Sequence, residues 1–164
     1  MKQLFAPWRM KYIQDAKQKG CIFCDLPKQG VLPESLVLYR GKAAFVVLNR
    51  YPYISGHLMV VPYLHVGSPL MLPADAWQDT MSLVRDAVGA VERVYRPQGF
   101  NIGMNVGRPA GAGIDEHVHV HVVPRWNGDT NFVPVLSETR VIPEALEDTF
   151  QRLFPEFSKL KEGS

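Results

Sequence analysis

The 164-residue sequence has little net charge and no long apolar run, and each absence excludes a class of protein. Eighteen basic and sixteen acidic residues leave a net charge of +2, too small for charge-driven binding to nucleic acid or an anionic membrane. No apolar stretch approaches the length of a transmembrane helix, and the first residues lack the apolar core of a signal peptide. We therefore predict a soluble, cytoplasmic protein that binds neither nucleic acid nor membrane.

Cysteine is also scarce, because Cys21 and Cys24 are the two cysteines of the chain. Two cysteines this close together cannot provide a general disulfide framework. In a reducing compartment, a Cys-x-x-Cys pair is more typical of metal ligands or of a redox couple. The residues alone leave both alternatives open.

Several familiar phosphate-binding motifs are missing as well. The chain has no complete Walker sequence, and its glycine spacing does not match a dinucleotide-binding fingerprint. No predicted strand carries the pair of acidic side chains that would indicate a magnesium site. Any phosphate chemistry would therefore depend on imidazoles and backbone amides.

The most distinctive segment is residues 117–123, where histidine alternates with valine in a predicted strand. Strand side chains alternate between two faces, so His117, His119 and His121 should share one face while the valines pack on the core. Neighbouring histidines would lie roughly 6.6 Å apart and the outer two about 13 Å apart, too far for one metal ion to bind all three. The pattern fits a two-histidine metal site, or an imidazole nucleophile assisted by its neighbours.

A glycine-rich loop, residues 107–113, immediately precedes the histidine segment. Gly107, Gly111 and Gly113 would let the backbone approach a ligand closely and offer N–H groups to an anionic oxygen. A neutral imidazole can attack phosphorus without a separate base, and a second one can stabilise the charge that develops on oxygen. The loop and the histidines together favour phosphoryl or nucleotidyl transfer.

The rest of the chain predicts one α+β domain, with an antiparallel sheet of about five strands and two main helices. The predicted strands are residues 36–40, 43–48, 57–62, 100–106 and 117–123.

The two helices are predicted from their apolar periodicity. The first runs from Pro73 to Tyr95, and its apolar stripe, which includes Trp77 and Met81, is predicted to pack in the core. The second lies within residues 143–161, from Pro143 to Pro155. Residues 1–20 are interpreted as an N-terminal arm of a single domain that spans residues 1–164.

The histidine segment resembles the signature of the histidine triad (HIT) family of nucleotide hydrolases and transferases. Residues 56–62 resemble the upstream histidine strand of that family, and residues 21–24 resemble the zinc-binding start of many bacterial members. The flanks 4–13, 122–132 and 141–143 are similar to the diadenosine tetraphosphate phosphorylase branch. The resemblance covers nearly the whole chain and implies a HIT-like fold.

The resemblance implies that His119 is the nucleophile that takes up AMP, that His121 assists at the phosphate and that His57 braces the site. It also implies five substrate-binding positions, which are Asn49, Asn105, Gly111, Ala112 and Gly113. Many members carry Ser, Thr or Gln near the end of the loop, whereas Gly113 and Ile114 stand there in this chain. A polyphosphate leaving group needs less protonation than an amine, so the departure favours a dinucleoside polyphosphate over a phosphoramidate.

In zinc-containing relatives the metal ligands correspond to Cys21, Cys24, His65 and His117, so the resemblance implies a closed structural zinc site. A redox pair is the alternative for the two cysteines, and an ordinary loop histidine is the alternative for His65. Family members are commonly homodimers, which predicts a second copy of this chain as a partner.

The resemblance therefore implies an enzyme that cleaves dinucleoside polyphosphates, such as diadenosine tetraphosphate, through an AMP-histidine intermediate. Inorganic phosphate would be the co-substrate, and ADP and ATP the products. Alternatives with the same fold are a purine nucleoside phosphoramidase and a dinucleoside polyphosphate hydrolase. Alternatives from other classes are a non-catalytic nucleotide sensor and a metal hydrolase with His117 and His119 as ligands.

Overall fold

The computed structural model describes residues 20–129 and 144–160 of the chain. The strands are β1 (Val37–Arg40), β2 (Ala44–Leu48), β3 (Leu58–Pro62), β4 (Gly99–Gly103) and β5 (Val120–Arg125). The α-helices are α1 (Ile22–Asp25), α2 (Ala74–Tyr95) and α3 (Leu146–Phe157). Short 3₁₀ helices cover Leu26–Gln29, Pro69–Met71 and Arg108–Ala110.

All five strands join one antiparallel sheet in the order β1-β2-β3-β5-β4. β2 and β3 consist of valine, leucine and other apolar residues that are buried along their whole length, as expected for central strands. β5 lies between β3 and β4, so the chain that follows the glycine loop enters the sheet beside a buried strand. The predicted α+β fold, with five antiparallel strands and two main helices, is confirmed.

The predicted histidine strand is wrong at its start, because β5 begins at Val120 rather than at His117. Pairing with β3 also stops at Val120, although β3 continues to Pro62. Here His117 Nε2 donates to the Pro62 carbonyl oxygen at 2.8 Å, and the Val118 N–H donates to the carbonyl oxygen of Val66 at 2.7 Å. The His117 side chain therefore bonds the end of β3 where regular backbone pairing would otherwise continue.

α2 packs against β2, β3 and β5 through a face that shares Val84 and Val91 with the predicted stripe but is rotated away from its other members. Its buried residues are Thr80, Leu83, Val84, Ala87, Ala90 and Val91. Ala87 and Ala90 have small side chains, so the helix backbone can approach the sheet closely. The prediction that Trp77 and Met81 lie in the core is wrong, because these side chains are 37% and 36% exposed. The core-facing stripe instead passes through the two alanines.

α3 packs on β1 and α2 and buries Phe150, Leu153 and Phe157. The prediction that this helix ends at Pro155 is wrong, because the helix continues to Phe157. A proline removes one backbone donor, and here the burial of Phe157, which is fully inaccessible, stabilises the last turn in spite of that loss.

Several predicted segments lie outside the described residues. They include the N-terminal arm except Gly20, the flank 130–132, and the predicted helix start at Pro143. The interpretation of residues 1–164 as a single domain with an N-terminal arm therefore stays a prediction. Within residues 20–129 and 144–160, no helix combines the length and the apolar composition that crossing a membrane requires.

Candidate active site

The five histidines of the chain form two adjacent groups. In the first group, the His119 and His121 ring centroids are 4.9 Å apart and those of His57 and His121 are 5.2 Å apart. In the second group, the centroids of His65 and His117 are 5.2 Å apart. The intervening side chains Val118, Val120 and Val122 are buried, as the alternating pattern predicts. Residues 117–121 thus supply His117 to the second group and His119 and His121 to the first.

His119 is 5% exposed, and its Nδ1–H donates to the carbonyl oxygen of His117 at 2.9 Å. A neutral imidazole carries one N–H, so this bond leaves the lone pair on Nε2. Burial lowers the pKa of His119, although the bond to the His117 carbonyl opposes the shift. His119 is therefore a neutral imidazole at pH 7 with an unprotonated Nε2.

A backbone amide determines which nitrogens of His57 and His121 carry protons. The Tyr53 N–H donates to His57 Nδ1 at 3.0 Å, so the proton of neutral His57 is on Nε2. His57 Nε2 in turn lies 3.0 Å from His121 Nδ1 and donates to it. The proton of neutral His121 is then on Nε2, which makes this nitrogen a hydrogen-bond donor. The chain of bonds thus gives His119 and His121 complementary roles, a lone pair on one and a donor on the other.

Burial, with a smaller effect of the nearby His119, lowers the pKa of His121 to about 4. His121 also faces His57 and the ring of Tyr53, whose centroid is 6.0 Å from its own. At pH 7 the His121 side chain is therefore neutral, and its donor nitrogen does not depend on a positive charge.

The folding stability is expected to decrease as the pH falls from about 6.5 towards 4, because the unfolded chain then binds a proton that the folded His121 does not. The His121 contribution is fully present above about pH 6.5 and is lost progressively as the pH approaches the folded-state value. Urea unfolding at about pH 7 and pH 5 measures this loss in the wild type and in a His121→Asn variant. The variant lacks the titrating ring, so its stability should fall less between the two pH values; equal losses in both proteins would contradict the assignment.

The turn that precedes His57 packs against Tyr95 and Pro124. Gly56 adopts φ +82°, and a Cβ at this position would lie 3.4 Å from the ring of Tyr95 and from Pro124. The Tyr95 hydroxyl donates to the Glu144 carboxylate. The end of α2 thus packs on the Gly56 turn. Glycine suits this position because it tolerates a positive φ and has no Cβ that would crowd Tyr95 and Pro124.

A cleft of about 740 Å³ opens beside His119 and His121, a volume within the usual range for small-molecule sites. Its lining includes apolar side chains from two separate parts of the chain, which are Ile22, Leu26, Leu36 and Ile114. Four of the predicted substrate-binding residues also line it, namely Asn49, Asn105, Gly111 and Gly113. The fifth, Ala112, is buried within the loop and does not line the cleft.

The glycine loop is hydrogen-bonded to itself in this conformation. The Gly111 N–H donates to the Arg108 carbonyl oxygen at 2.9 Å, and the Ala112 N–H donates to Gly107 at 3.4 Å. Asn105 Nδ2 donates to the Gly111 carbonyl oxygen at 3.4 Å, a long bond that holds the amide against the loop. The loop therefore presents a preformed turn to the cleft.

Asn49 connects the cleft to the loop that carries Tyr53. Its Oδ1 accepts the Tyr51 N–H at 2.9 Å, and its Nδ2 lies 3.4 Å from both ring nitrogens of His57. The side chain thus orders the backbone that leads to the Tyr53 amide, besides lining the cleft.

The second group brings together all four residues predicted as metal ligands. The ligand atoms of Cys21, Cys24, His65 and His117 lie within 4.8 Å of one another. Cys21 Sγ is 3.3 Å from His117 Nδ1, and Cys24 Sγ is 3.4 Å from His65 Nδ1. Tetrahedral zinc with bonds of about 2.0–2.3 Å separates its ligand atoms by roughly 3.3–3.8 Å, so these two sulfur–nitrogen distances suit such an ion, and the widest pair would move closer around it.

The protonation of this group also suits a metal. Because His117 Nε2 donates to the Pro62 carbonyl oxygen, its Nδ1 directs a lone pair towards the cysteine sulfurs. Burial raises the pKa of the Cys21 thiol. A bound metal would replace the thiol proton, since the thiolate is the ligand form of cysteine.

Residues 31–128 match the family model described as the HIT domain, which spans more than half of the chain. The chain belongs to the HIT family. It is similar to the AP-4-A phosphorylase of Mycobacterium tuberculosis, with 39% identity over 97% of this chain and 86% of that protein. It is also 34% identical to the asymmetrical bis(5'-nucleosyl)-tetraphosphatase of Schizosaccharomyces pombe, over 58% of this chain and 52% of that protein.

A solved structure with the HIT fold resembles this chain closely. The Zn-bound histidine triad family protein from Mycobacterium smegmatis superimposes with a TM-score of 0.68 at 25% identity. The match covers 86% of this chain and 95% of that structure. The predicted membership of the HIT family is confirmed.

Two residues of this HIT site were not predicted from the sequence. Phe23, which is buried in α1, has its ring centroid 5.5 Å from His117 and 4.9 Å from His119, so it contacts both histidine groups. Its position between the two cysteines was the available signal. Tyr53 acts on His57 through a backbone N–H, for which a side-chain pattern gives no signal.

Proposed function

We propose that this HIT protein cleaves dinucleoside polyphosphates by transferring AMP first to His119 and then to inorganic phosphate. The observation that carries the proposal is the pairing, in one cleft, of an unprotonated His119 Nε2 with a donor nitrogen on His121. The similarity to an AP-4-A phosphorylase and to a bis(5'-nucleosyl)-tetraphosphatase supports this class of substrate.

In the first step, His119 Nε2 attacks the α-phosphorus of the dinucleotide. The bond from phosphorus to the oxygen that bridges the α- and β-phosphates breaks, and its electron pair leaves with the nucleoside triphosphate. His121 Nε2–H donates to a non-bridging oxygen on which negative charge increases. The His119 Nδ1–H remains bonded to the His117 carbonyl oxygen, which stabilises the ring as it becomes positively charged.

In the second step, an oxygen of inorganic phosphate attacks the same phosphorus. The phosphorus–nitrogen bond breaks, its electron pair returns to His119 Nε2, and ADP is released. Water as the acceptor would release AMP instead. Because attack and departure take place on opposite sides of the phosphorus, the acceptor enters where the triphosphate left.

The lining of the cleft suits the two ends of a nucleotide. The apolar side chains Leu26, Leu36 and Ile114 offer a surface for the base. Asn49 offers an amide to the ribose, and Asn105 offers one to the ribose or the phosphates. Gly113, which has nothing within 4 Å of where a Cβ would lie, allows a phosphate to approach the backbone. Gly111 and Ala112 hold the loop in this shape.

Product analysis tests the proposal. Diadenosine tetraphosphate is incubated with the protein, with and without inorganic phosphate, and the nucleotides are separated. ADP and ATP that form only with phosphate are the expected result. AMP and ATP in both conditions would identify a hydrolase, and faster turnover of an adenosine phosphoramidate would identify a phosphoramidase. Absence of turnover with any of these substrates would contradict an enzymatic function.

We also infer that Cys21, Cys24, His65 and His117 hold a structural zinc ion. The two-sulfur, two-nitrogen donor set and the distances between its atoms support this assignment, as does the likeness to a Zn-bound HIT protein. Since all four positions of a tetrahedral ion would be occupied by the protein, such an ion would stabilise the fold rather than bind substrate.

A second copy of the chain is the proposed partner. Among residues 20–129 and 144–160, β4 forms one edge of the sheet and no described strand pairs with its outer side, and its Ile102 is 48% exposed. Sedimentation equilibrium should give twice the mass of one chain, and the mass of a single chain at micromolar concentration would contradict the proposal. The cytoplasmic location inferred from the sequence stays a prediction.

A further inference from the structure

The glycine loop carries an arginine that the catalytic scheme does not use. Arg108 opens the short 3₁₀ helix of the loop, and its side chain is 82% exposed. Its Nε donates to Asp115 Oδ2 at 2.9 Å, so the ion pair connects the start of the loop to the residues that follow its end. The side chain of Asp115 is 36% exposed.

Residues on both sides of Arg108 and Asp115 in the sequence line the cleft, although these two residues do not. Arg108 stands between Asn105 and Gly111, which both line the cleft, and Asp115 immediately precedes Glu116, which also lines it. The loop that carries Arg108 therefore borders the space beside the reacting phosphorus. When the loop binds the phosphate chain, the phosphates beyond the scissile bond would extend along the loop towards Arg108.

Arg108 is suited to exchanging its partner Asp115 for a phosphate group. An ion pair between such exposed side chains contributes little to stability because water screens both charges. A guanidinium binds phosphate more strongly, through two parallel hydrogen bonds. Arg108 can therefore leave one carboxylate for a polyphosphate at small cost.

The leaving group of the proposed reaction requires a positive charge. A departing nucleoside triphosphate carries several negative charges, and the lining of the cleft includes the acidic residues Asp25 and Glu116 alongside the basic residue Arg50. Gly113 and Ile114, at the end of the loop, have no side chain that could donate a proton or a hydrogen bond. A guanidinium directed at the leaving phosphates would stabilise the charge that the breaking bond releases.

We propose that Arg108 exchanges Asp115 for the phosphates beyond the scissile bond and so selects substrates with a polyphosphate leaving group. Because inorganic phosphate enters where the leaving group departed, the same guanidinium binds the acceptor in the second step. This inference rests on the proposed function and adds a residue that determines its specificity.

The test compares two substrates in Arg108→Ala. Diadenosine tetraphosphate has a polyphosphate leaving group, whereas the p-nitrophenyl ester of AMP has none. We expect kcat/KM for the tetraphosphate to fall about 10- to 100-fold, the range for a charge-assisted contact, and the KM for inorganic phosphate to rise. The rate of nitrophenol release in a single turnover should change less than about twofold, because this first step has no distal phosphate to bind.

Two further variants sharpen the comparison. Arg85→Ala is the matched control, since Arg85 is 83% exposed and lies 4.0 Å from Asp86 on α2. It should leave both substrates unaffected. Asp115→Asn releases Arg108 from its competitor and should lower the KM for the tetraphosphate.

Equal losses on both substrates in Arg108→Ala would overturn the inference, because they would indicate a purely structural role for the loop arginine. Unchanged rates on both would overturn it as well. If the wild type fails to cleave the tetraphosphate, the proposed function fails, and calorimetric titration with inorganic tripolyphosphate then decides the role of Arg108. Affinity at least about tenfold weaker in Arg108→Ala supports the phosphate contact, and equal affinity overturns it.

Discussion

Replacing His119 with alanine is expected to reduce turnover of diadenosine tetraphosphate at least about a thousandfold, because the attacking nitrogen is lost. The affinity for nucleotides should be nearly unchanged, since Asn49 and the apolar side chains Leu26, Leu36 and Ile114 stay in place. Quenched-flow product analysis measures the first quantity, and calorimetric titration with ADP measures the second. In the wild type, rapid denaturation during turnover should trap a chain whose mass is increased by one AMP group, and the variant should lack this species.

His121→Asn is the matched control, because it also replaces an imidazole beside the cleft. It replaces the ring Nε2–H donor with a shorter amide that does not reach the developing charge, and it leaves the nucleophile in place, so we expect a smaller loss of about 100- to 1000-fold. A His119→Ala protein that still cleaves the tetraphosphate would contradict the assignment of the nucleophile. If His119→Ala keeps both nucleotide binding and the biological effect of the protein, a non-catalytic nucleotide sensor would be favoured instead.

Removing the proposed zinc ion is expected to destabilise the protein strongly, because the four proposed ligands join α1, the loop after β3 and the segment before β5. A loss of about 4 kcal/mol would lower the Tm by roughly 10 °C in a chain of this size. Thermal unfolding with and without a chelator measures this shift, together with the metal content of the untreated protein. Cys24→Ser should show the same decrease without a chelator.

Adding zinc back is the control for this experiment, since it should restore the Tm of the chelated wild type but not that of Cys24→Ser. Untreated protein that contains no metal, or a Tm that the chelator leaves unchanged, would contradict a structural zinc site. Loss of activity at constant Tm would instead favour a catalytic metal bound by His117 and His119.

Much of the fold and of the site could be predicted because the decisive signals are local in sequence. The alternation around His119 identified the buried valines, and the apolar runs that became β2 and β3 identified the centre of the sheet. The resemblance to the HIT family supplied the four candidate metal ligands, which the fold brings together although Cys24 and His117 are far apart in the chain.

The features that escaped prediction depend on contacts between distant segments. β5 starts late because the ring of His117 bonds the Pro62 carbonyl oxygen, an interaction that strand propensity does not include. The exposure of Trp77 could not be inferred from helical periodicity, because Ala87 and Ala90 count little as hydrophobic residues and yet determine the packed face. The ion pair of Arg108 also depends on how the glycine loop folds.

The bond from the Tyr53 amide to His57 has a consequence for how this sequence can drift during evolution. Every residue except proline supplies a backbone N–H, so the protonation pattern that reaches His121 survives almost any replacement at position 53. The Tyr53 ring, whose centroid is 4.4 Å from that of His57, adds packing that substitutions can change without altering the order of the protons. The path of the main chain at position 53 therefore determines the order of the protons, whereas the side chain determines the packing on His57 and His121 and part of the cleft lining.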